Sequence, residues 1–209
     1  MTEPDIAALR EALLGGALAL VPTDTVYGLA AALDSPEGVD ALYALKGRPR
    51  DQACQVLLYA PALLDEALAP LDERTRAAAR ALLPGRTTCI VPDPAGRYAA
   101  AAGVGPGSVG VRAPLVTGPI AQLDVPLVAT SANDPGEPDP ATLDEIPTQI
   151  RQVVAAQIDV GRLIPIPSAV VDLREVATDE LAWLLRAGPN PEAVAEALAA
   201  LGVGLAQRG

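Results

Sequence analysis

Half of the 209 residues in this chain are hydrophobic, yet none is phenylalanine. One Trp and four Tyr are its only aromatic residues, so Leu, Ala and Val have to fill the core. That apolar share is enough to bury a sizeable core. The length is most simply that of one domain spanning 1–209.

The apolar runs and their punctuation set out the expected elements. Asp5 is placed to cap a helix over 6–14, which the Gly15-Gly16 pair stops. "ALALV" (17–21) reads as a buried strand running into "PTDTVYGLAAAL" (22–33). Ser35 and Pro36 are N-cap and first-turn signals for a helix to about residue 45. "CQVLLYA" (54–60), "TTCIVP" (87–92), "SVGVRAP" (108–114) and "PLVATSAN" (126–133) read as strands, with helices over 62–69 and 73–83. "DPGEPDP" (134–140) is broken by three prolines and a glycine. A helix over 143–156, strands over 169–173 and 181–188, and a helix over 191–201 follow. The stretch 92–107, rich in Gly, Ala and Pro, reads as a loop or hairpin excursion. Strands and helices mix without a simple βαβ repeat. The expected fold is therefore α/β, a twisted open sheet, mixed or largely parallel, flanked by helices.

Composition removes several chemistries. With no histidine there is no Ser-His-Asp triad, no Cys-His dyad and no histidine-rich zinc site. Any metal would be held by oxygen, most simply Mg²⁺ carried on a substrate phosphate, with no metal-ligating side chains of its own. The two cysteines, Cys54 and Cys89, sit in apolar runs and read as buried free thiols. The net charge is −11, and no basic run suggests an extended nucleic-acid face. No apolar stretch reaches membrane-spanning length and no charged-then-apolar leader opens the chain, so a cytoplasmic protein with no membrane contact is expected.

The polar clusters share a position, because "PTDT", "KGRPR", "VRAP" and "TSAN" all flank strands. In open α/β sheets ligands gather at strand ends. Lys46, Arg48, Arg50 and Arg112 are the cations there, and Thr23, Thr25, Ser131 and Asn133 the small polar groups. Cations with hydroxyl and amide donors suit an anionic, phosphate-bearing ligand. Each cluster alone also reads as an ordinary turn or cap, and no G-x-x-x-x-G-K-[ST] loop is present. Lys46 is the one lysine among fifteen basic residues. A high-GC genome accounts for the arginines and leaves the one lysine unexplained.

Taken together, "PTDTVYGLA", "ALKGRPRDQ", "SVGVRAP" and "ATSANDPGEP" resemble the YrdC-like family, the threonylcarbamoyl-AMP synthases. "LLPGRTTCIV", "PSAVVDL" and "LLRAG" extend the resemblance over about 10–190. It implies a twisted open sheet around a large, positively charged ligand cavity. The implied reaction is a nucleotidyl transfer joining L-threonine, bicarbonate and ATP into threonylcarbamoyl-AMP with release of pyrophosphate, for t6A modification of tRNA. By position, Lys46 and Arg48 would hold the triphosphate or carboxylates as the catalytic pair. Thr25, Arg112 and Ser168 would contact threonine. Gln52, Ser108, Ser131, Asn133 and Arg186 would contact the nucleotide. Mg²⁺ would accompany ATP, and tRNA or the machinery that completes t6A would be partners. Ala53, Leu57, Pro135, Asp139 and Val160 depart from the family pattern. They leave room for a nucleotide- or RNA-binding module on the same fold, or a carbamoyl-transfer relative with another acceptor.

Overall fold

The computed structural model describes residues 3–101 and 107–207, with side chains from Ile6 onward. In chain order the elements are α1 (Glu3–Leu14), β1 (Ala19–Pro22), β2 (Tyr27–Ala32), α2 (Pro36–Leu45) and β3 (Gln55–Leu57). Then come α3 (Pro61–Leu68), α4 (Glu73–Leu82), β4 (Thr87–Pro92), β5 (Ser108–Arg112) and β6 (Leu127–Ser131). The last third holds α5 (Thr148–Val153), β7 (Ala156–Gln157), β8 (Ala169–Asp172), α6 (Val176–Asp179), β9 (Leu181–Arg186), α7 (Pro191–Ala199) and β10 (Gly204–Gln207). The strands form one sheet in the order β10-β9-β8-β4-β5-β3-β6-β2-β1-β7.

The sheet is mixed. β2, β6 and β3 run antiparallel to their neighbours in turn, whereas β3 with β5 and β4 with β8 pair in parallel. Its strands separate two cores. Along β1, Leu20 joins one core while Ala19 and Val21 join the other; along β2, Tyr27, Leu29 and Ala31 face the first and Ala30 and Ala32 the second. Strands covered on both sides carry continuous apolar runs rather than alternation. This is why "YGLAAA" is a strand buried at every position. It pairs back on β1 through the turn at 23–26, where Thr23 Oγ1 accepts from the N–H groups of Thr25 and Val26 at 3.1 and 3.0 Å. Short hydroxyl side chains bonded to backbone two and three residues on are a standard way to build such a turn.

Other expectations are met or corrected locally. Ser35 caps α2, accepting from Gly38 N at 3.2 Å, with Pro36 in its first turn. α1 starts at Glu3, ahead of the expected cap; the Asp5 side chain lies outside the description. The middle of the 92–107 excursion, 102–106, likewise lies outside the described residues. The strand expected over 54–60 is ordered as a strand only at Gln55–Leu57. The helix expected over 143–156 is a 3₁₀ turn at Leu143–Glu145, then α5, then β7. Pro147 explains the break: it has no N–H for the helical ladder, and its ring crowds the carbonyl four residues back. The chain beyond is captured by the free edge of β1, where Ala155 N and Ile158 N donate to Leu18 O and Leu20 O at 2.9 and 3.0 Å. Both free thiols are buried. Among the described residues no helix is long and apolar enough to cross a membrane.

The turn after β9 is tightly constrained. Gly188 has φ +69°, and a Cβ placed there would stand 2.2 Å from Ala169 N. A left-handed residue with a side chain is strained by about 1–3 kcal/mol, and here backbone would also have to move. Gly188→Ala is therefore expected to lower unfolding free energy by at least that amount. The check is the urea midpoint at unchanged m-value; an unshifted midpoint would show that the turn tolerates a side chain.

Candidate functional site

Two adjoining cavities of about 280 and 270 Å³ share lining residues, the first of them on the second-core side of the sheet. Arg48, Thr130 and Ser131 line both. The Arg48 guanidinium donates to Thr130 Oγ1 and to Ala53 O, each at 2.8 Å. The resemblance implied a large cavity; the structure has these two spaces with that shared lining. The floor of the larger cavity is the sheet, bare of side chains at Gly28 on β2 and Gly110 on β5, with Ala129 on β6. The charged residues lining the two are Lys46, Arg48 and Arg186 against one carboxylate, Asp139. A chain of net charge −11 thus presents a cationic cleft.

Lys46 is the C-cap of α2 and only 4 % exposed. Its ammonium donates to Ser131 O at 3.0 Å, to Asn133 Oδ1 at 3.1 Å and to Asn133 O. An ammonium has three N–H donors, so all three are spent on the end of β6 and the loop that follows it. Asn133 Oδ1 also accepts from Ser131 Oγ at 2.6 Å, and Asn133 Nδ2 donates to Glu137 O at 2.6 Å. Burial pulls the Lys46 pKa below the ordinary lysine value, helped by Arg48 and opposed by Asp134 and Asp139. The sequence suggested an ammonium free for phosphate; its first task in the fold is to clamp 131–133, where three converging oxygens match a compact tetrahedral donor and not a planar fork.

The opposite end is built on Arg112, the largest fully buried side chain. It pairs with Asp24 and donates to Thr25 Oγ1 at 3.2 Å, while its Nε and Nη1 have no acceptor among the described residues. Thr25 Oγ1 lies 3.0 Å from Thr23 Oγ1. Ser168 Oγ lies 3.0 Å from Thr88 Oγ1 and accepts from Arg186 Nη2 at 3.2 Å. Burial lowers the Arg186 pKa, against the attraction of Asp139.

The expected residues thus divide by place. Thr25, Ser168 and Arg186 line the larger cavity, Lys46, Gln52 and Asn133 the smaller, and Arg48 and Ser131 both. Arg112 stands behind Thr25, outside the lining. Ser108, buried at the far end of β5, lines neither cavity, and Arg50 faces outward, pairing with Asp40 and stacking on Tyr43. Gln55, Thr88 and Thr130 belong to the site without having been expected. Their signal was a polar residue set inside an apolar strand. Of the departures from the family pattern, Ala53 contributes through its carbonyl, Leu57 is a fully buried part of the floor, and Pro135 and Asp139 line the cleft. Val160 donates its N–H to Tyr27 OH at 3.2 Å and has an exposed side chain.

Two predictions follow from these contacts. Lys46→Met takes the ammonium from two carbonyls and leaves Asn133 Oδ1 with the Ser131 hydroxyl alone, so a loss of about 1–3 kcal/mol in unfolding free energy is expected, with Lys46→Arg restoring little of it. Thermal melts of the two variants decide this; wild-type melting of Lys46→Met would mark the lysine as free in solution. Burial also pushes the Cys54 thiol up and the Cys89 thiol up to about 12. At pH 8 both should therefore be neutral and fail to react with Ellman's reagent until urea unfolds the chain. A fast-reacting equivalent in the native protein would contradict the packing around them.

A family profile, Sua5/YciO/YrdC, described as telomere recombination, matches residues 11–188. The Bacillus subtilis protein named threonylcarbamoyl-AMP synthase is 28% identical over 190 residues, which is 89% of this chain and 54% of that one. The Serratia proteamaculans protein of the same name is 32% identical over 177 residues, 76% of this chain and 85% of the relative. The crystal structure of Pyrococcus abyssi Sua5 complexed with L-threonine superposes with a TM-score of 0.78 at 26% identity, over 98% of this chain and 60% of that one. This chain thus spans about half the length of the Bacillus relative.

Proposed function

The chain belongs to the Sua5/YciO/YrdC family, and on that premise we propose that it is an L-threonylcarbamoyladenylate synthase, consuming L-threonine, bicarbonate and ATP. The observation that carries the reading is one cleft with two chemically different ends. Lys46, Arg48, Ser131 and Asn133 gather at one, and Thr23, Thr25 and Ser168 at the other, with Arg112 behind them.

In this reading threonine lies at the hydroxyl end, its carboxylate drawn toward the Arg112 charge and its polar groups toward Thr25 and Ser168. Its neutral amine attacks the carbon of bicarbonate; a C–N bond forms, and water leaves to give a carbamate. A carbamate oxygen then attacks the α-phosphorus of ATP. The P–O bond to the β-phosphate breaks, and pyrophosphate departs with the electron pair. The chain supplies position and charge rather than a proton-shuttling histidine. Lys46 and Arg48 hold positive charge where the phosphates accumulate negative charge, and Ser131 and Asn133 keep that end in shape. Gln52, lining the smaller cavity, and Arg186, lining the larger, take the nucleotide side, as Ser108 would if the nucleotide extends along β5. Mg²⁺ would arrive on the triphosphate, neutralising part of its charge, and Asp139 is the carboxylate in the cleft able to meet it. The labile product would pass to the machinery that modifies tRNA, in the cytoplasm.

The test is pyrophosphate release. It is expected only when ATP, threonine and bicarbonate are all present, and Arg48→Ala should slow it by about 10²–10³-fold, the usual effect of losing one charge-stabilising donor. Nucleotide binding without turnover would select instead a binding module on the same fold. Turnover only with carbamoyl phosphate would select a carbamoyl-transfer relative.

A further inference from the structure

Gln55 rises from β3, the strand at the middle of the larger cavity's floor. Its register partners are Gly110 on β5 and Ala129 on β6, so no long side chain flanks it. Gly110 has a spatial reason to be glycine: a Cβ there would stand 3.3 Å from Thr88 Cγ2 and 4.0 Å from Gln55 Cβ. Across that gap Thr88 Oγ1 donates to Gln55 Oε1 at 2.9 Å. Thr88 Oγ1 lies 3.0 Å from Ser168 Oγ, and Ser168 Oγ accepts from Arg186 Nη2 at 3.2 Å.

The direction of this chain is set at its two ends. A guanidinium donates only, so Ser168 Oγ accepts from Arg186. The amide oxygen of Gln55 only accepts, so the one hydroxyl proton of Thr88 points to Gln55 Oε1 and Thr88 Oγ1 in turn accepts from Ser168 Oγ. Thr88 and Ser168 are both buried, at 5 % and 6 % exposed, which shelters the relay from competing water. The amide oxygen of Gln55 is thereby committed to Thr88, and its NH₂ group is turned the other way. That NH₂ bonds to no described residue and belongs to a side chain lining the cavity.

We propose that Gln55 is a substrate-positioning donor, its amide N–H held toward an oxygen of the bicarbonate-derived carboxyl group. Thr88 acts through it as a positioning residue. Gln55 stands between the two ends of the cleft: Thr88 and Ser168 lie on one side, and β6, leading to Ser131, on the other. In the proposed reaction the group that must lie between amino acid and α-phosphate is that carboxyl. An uncharged donor suits it, because it can hold bicarbonate and carbamate alike without trapping either as an ion pair. The inference rests on the synthase reading.

The experiment is bicarbonate-dependent pyrophosphate release by the full chain and four variants, with thermal melts alongside. Gln55→Met removes the donor and should raise the KM for bicarbonate about tenfold or more, the loss of one hydrogen bond to a charged group. Gln55→Glu keeps an oxygen for Thr88 but presents a carboxylate to an anion, and should raise it further while leaving the KM for ATP within about twofold. Thr88→Val frees the amide to turn and should mimic Gln55→Met, whereas Thr88→Ser, which keeps the hydroxyl, should restore the wild-type KM. A wild-type chain with no bicarbonate-dependent turnover overturns the synthase reading and this inference with it. Wild-type turnover with an unchanged bicarbonate KM in folded Gln55→Met overturns this inference alone.

Discussion

Two buried cations have to be given oxygen, and the ends of the cleft take their shape from how that is done. Arg112 is 1 % exposed and Lys46 is 4 % exposed. A charge removed from water without partners costs several kcal/mol. The turn at 23–26 therefore folds over β5 to bring Asp24 and Thr25 to Arg112, and the end of β6 with the loop after it wraps Lys46 with two carbonyls and an amide oxygen. Each cation organises the polar loop that meets it. The two organised loops become the hydroxyl end and the cationic end of one cleft.

Between those ends the floor depends on residues too small to fill it. Gly28, Gly110 and Ala129 leave the sheet bare where a larger side chain would close the space. A core of Leu, Ala and Val packs the two faces elsewhere, while Tyr27 and Tyr43 use their hydroxyls to tie down surrounding chain: Tyr27 donates to Gly161 O at 2.7 Å and Tyr43 to Gln52 O at 3.1 Å. The second tie bears on the cleft directly, because Gln52 lines the smaller cavity. The shortage of large rings and the openness of the site are thus served by the same small residues.

Net charge was a poor guide to the cleft's field, since carboxylates dispersed over a solvated surface are screened within a Debye length, while cations gathered in a cleft are not. Much of the arrangement was nevertheless legible. β4 follows "TTCIVP" to the residue, α2 is capped by the Ser35 and Pro36 that announced it, and the "PTDT", "KGRPR" and "TSAN" clusters do meet at strand ends. What escaped notice were strands too short or too featureless to signal themselves. β7 is two residues long and β10 follows the last expected helix; both exist because a sheet edge offers unpaired backbone groups to whatever passes. Gln55 and Thr88 were overlooked because one polar residue in an apolar strand is ambiguous until its neighbours across the sheet are known.

Local signals determined what this chain would be made of: apolar runs for strands, proline and glycine for breaks, and small polar groups clustered where strands stop. The family resemblance was carried by those clusters, because each is a contiguous stretch whose turn chemistry is set by its own residues. Which group bonds to which was decided only by the tertiary structure. Lys46 finds its acceptors 85 and 87 positions along the chain, Arg112 finds Thr25 87 positions back, and Thr88 meets Ser168 80 positions on and Gln55 33 positions back. The reason is desolvation: a polar group closed off by the sheet must take the nearest partner in space, and which partner is nearest depends on strand order, a property of the whole sheet.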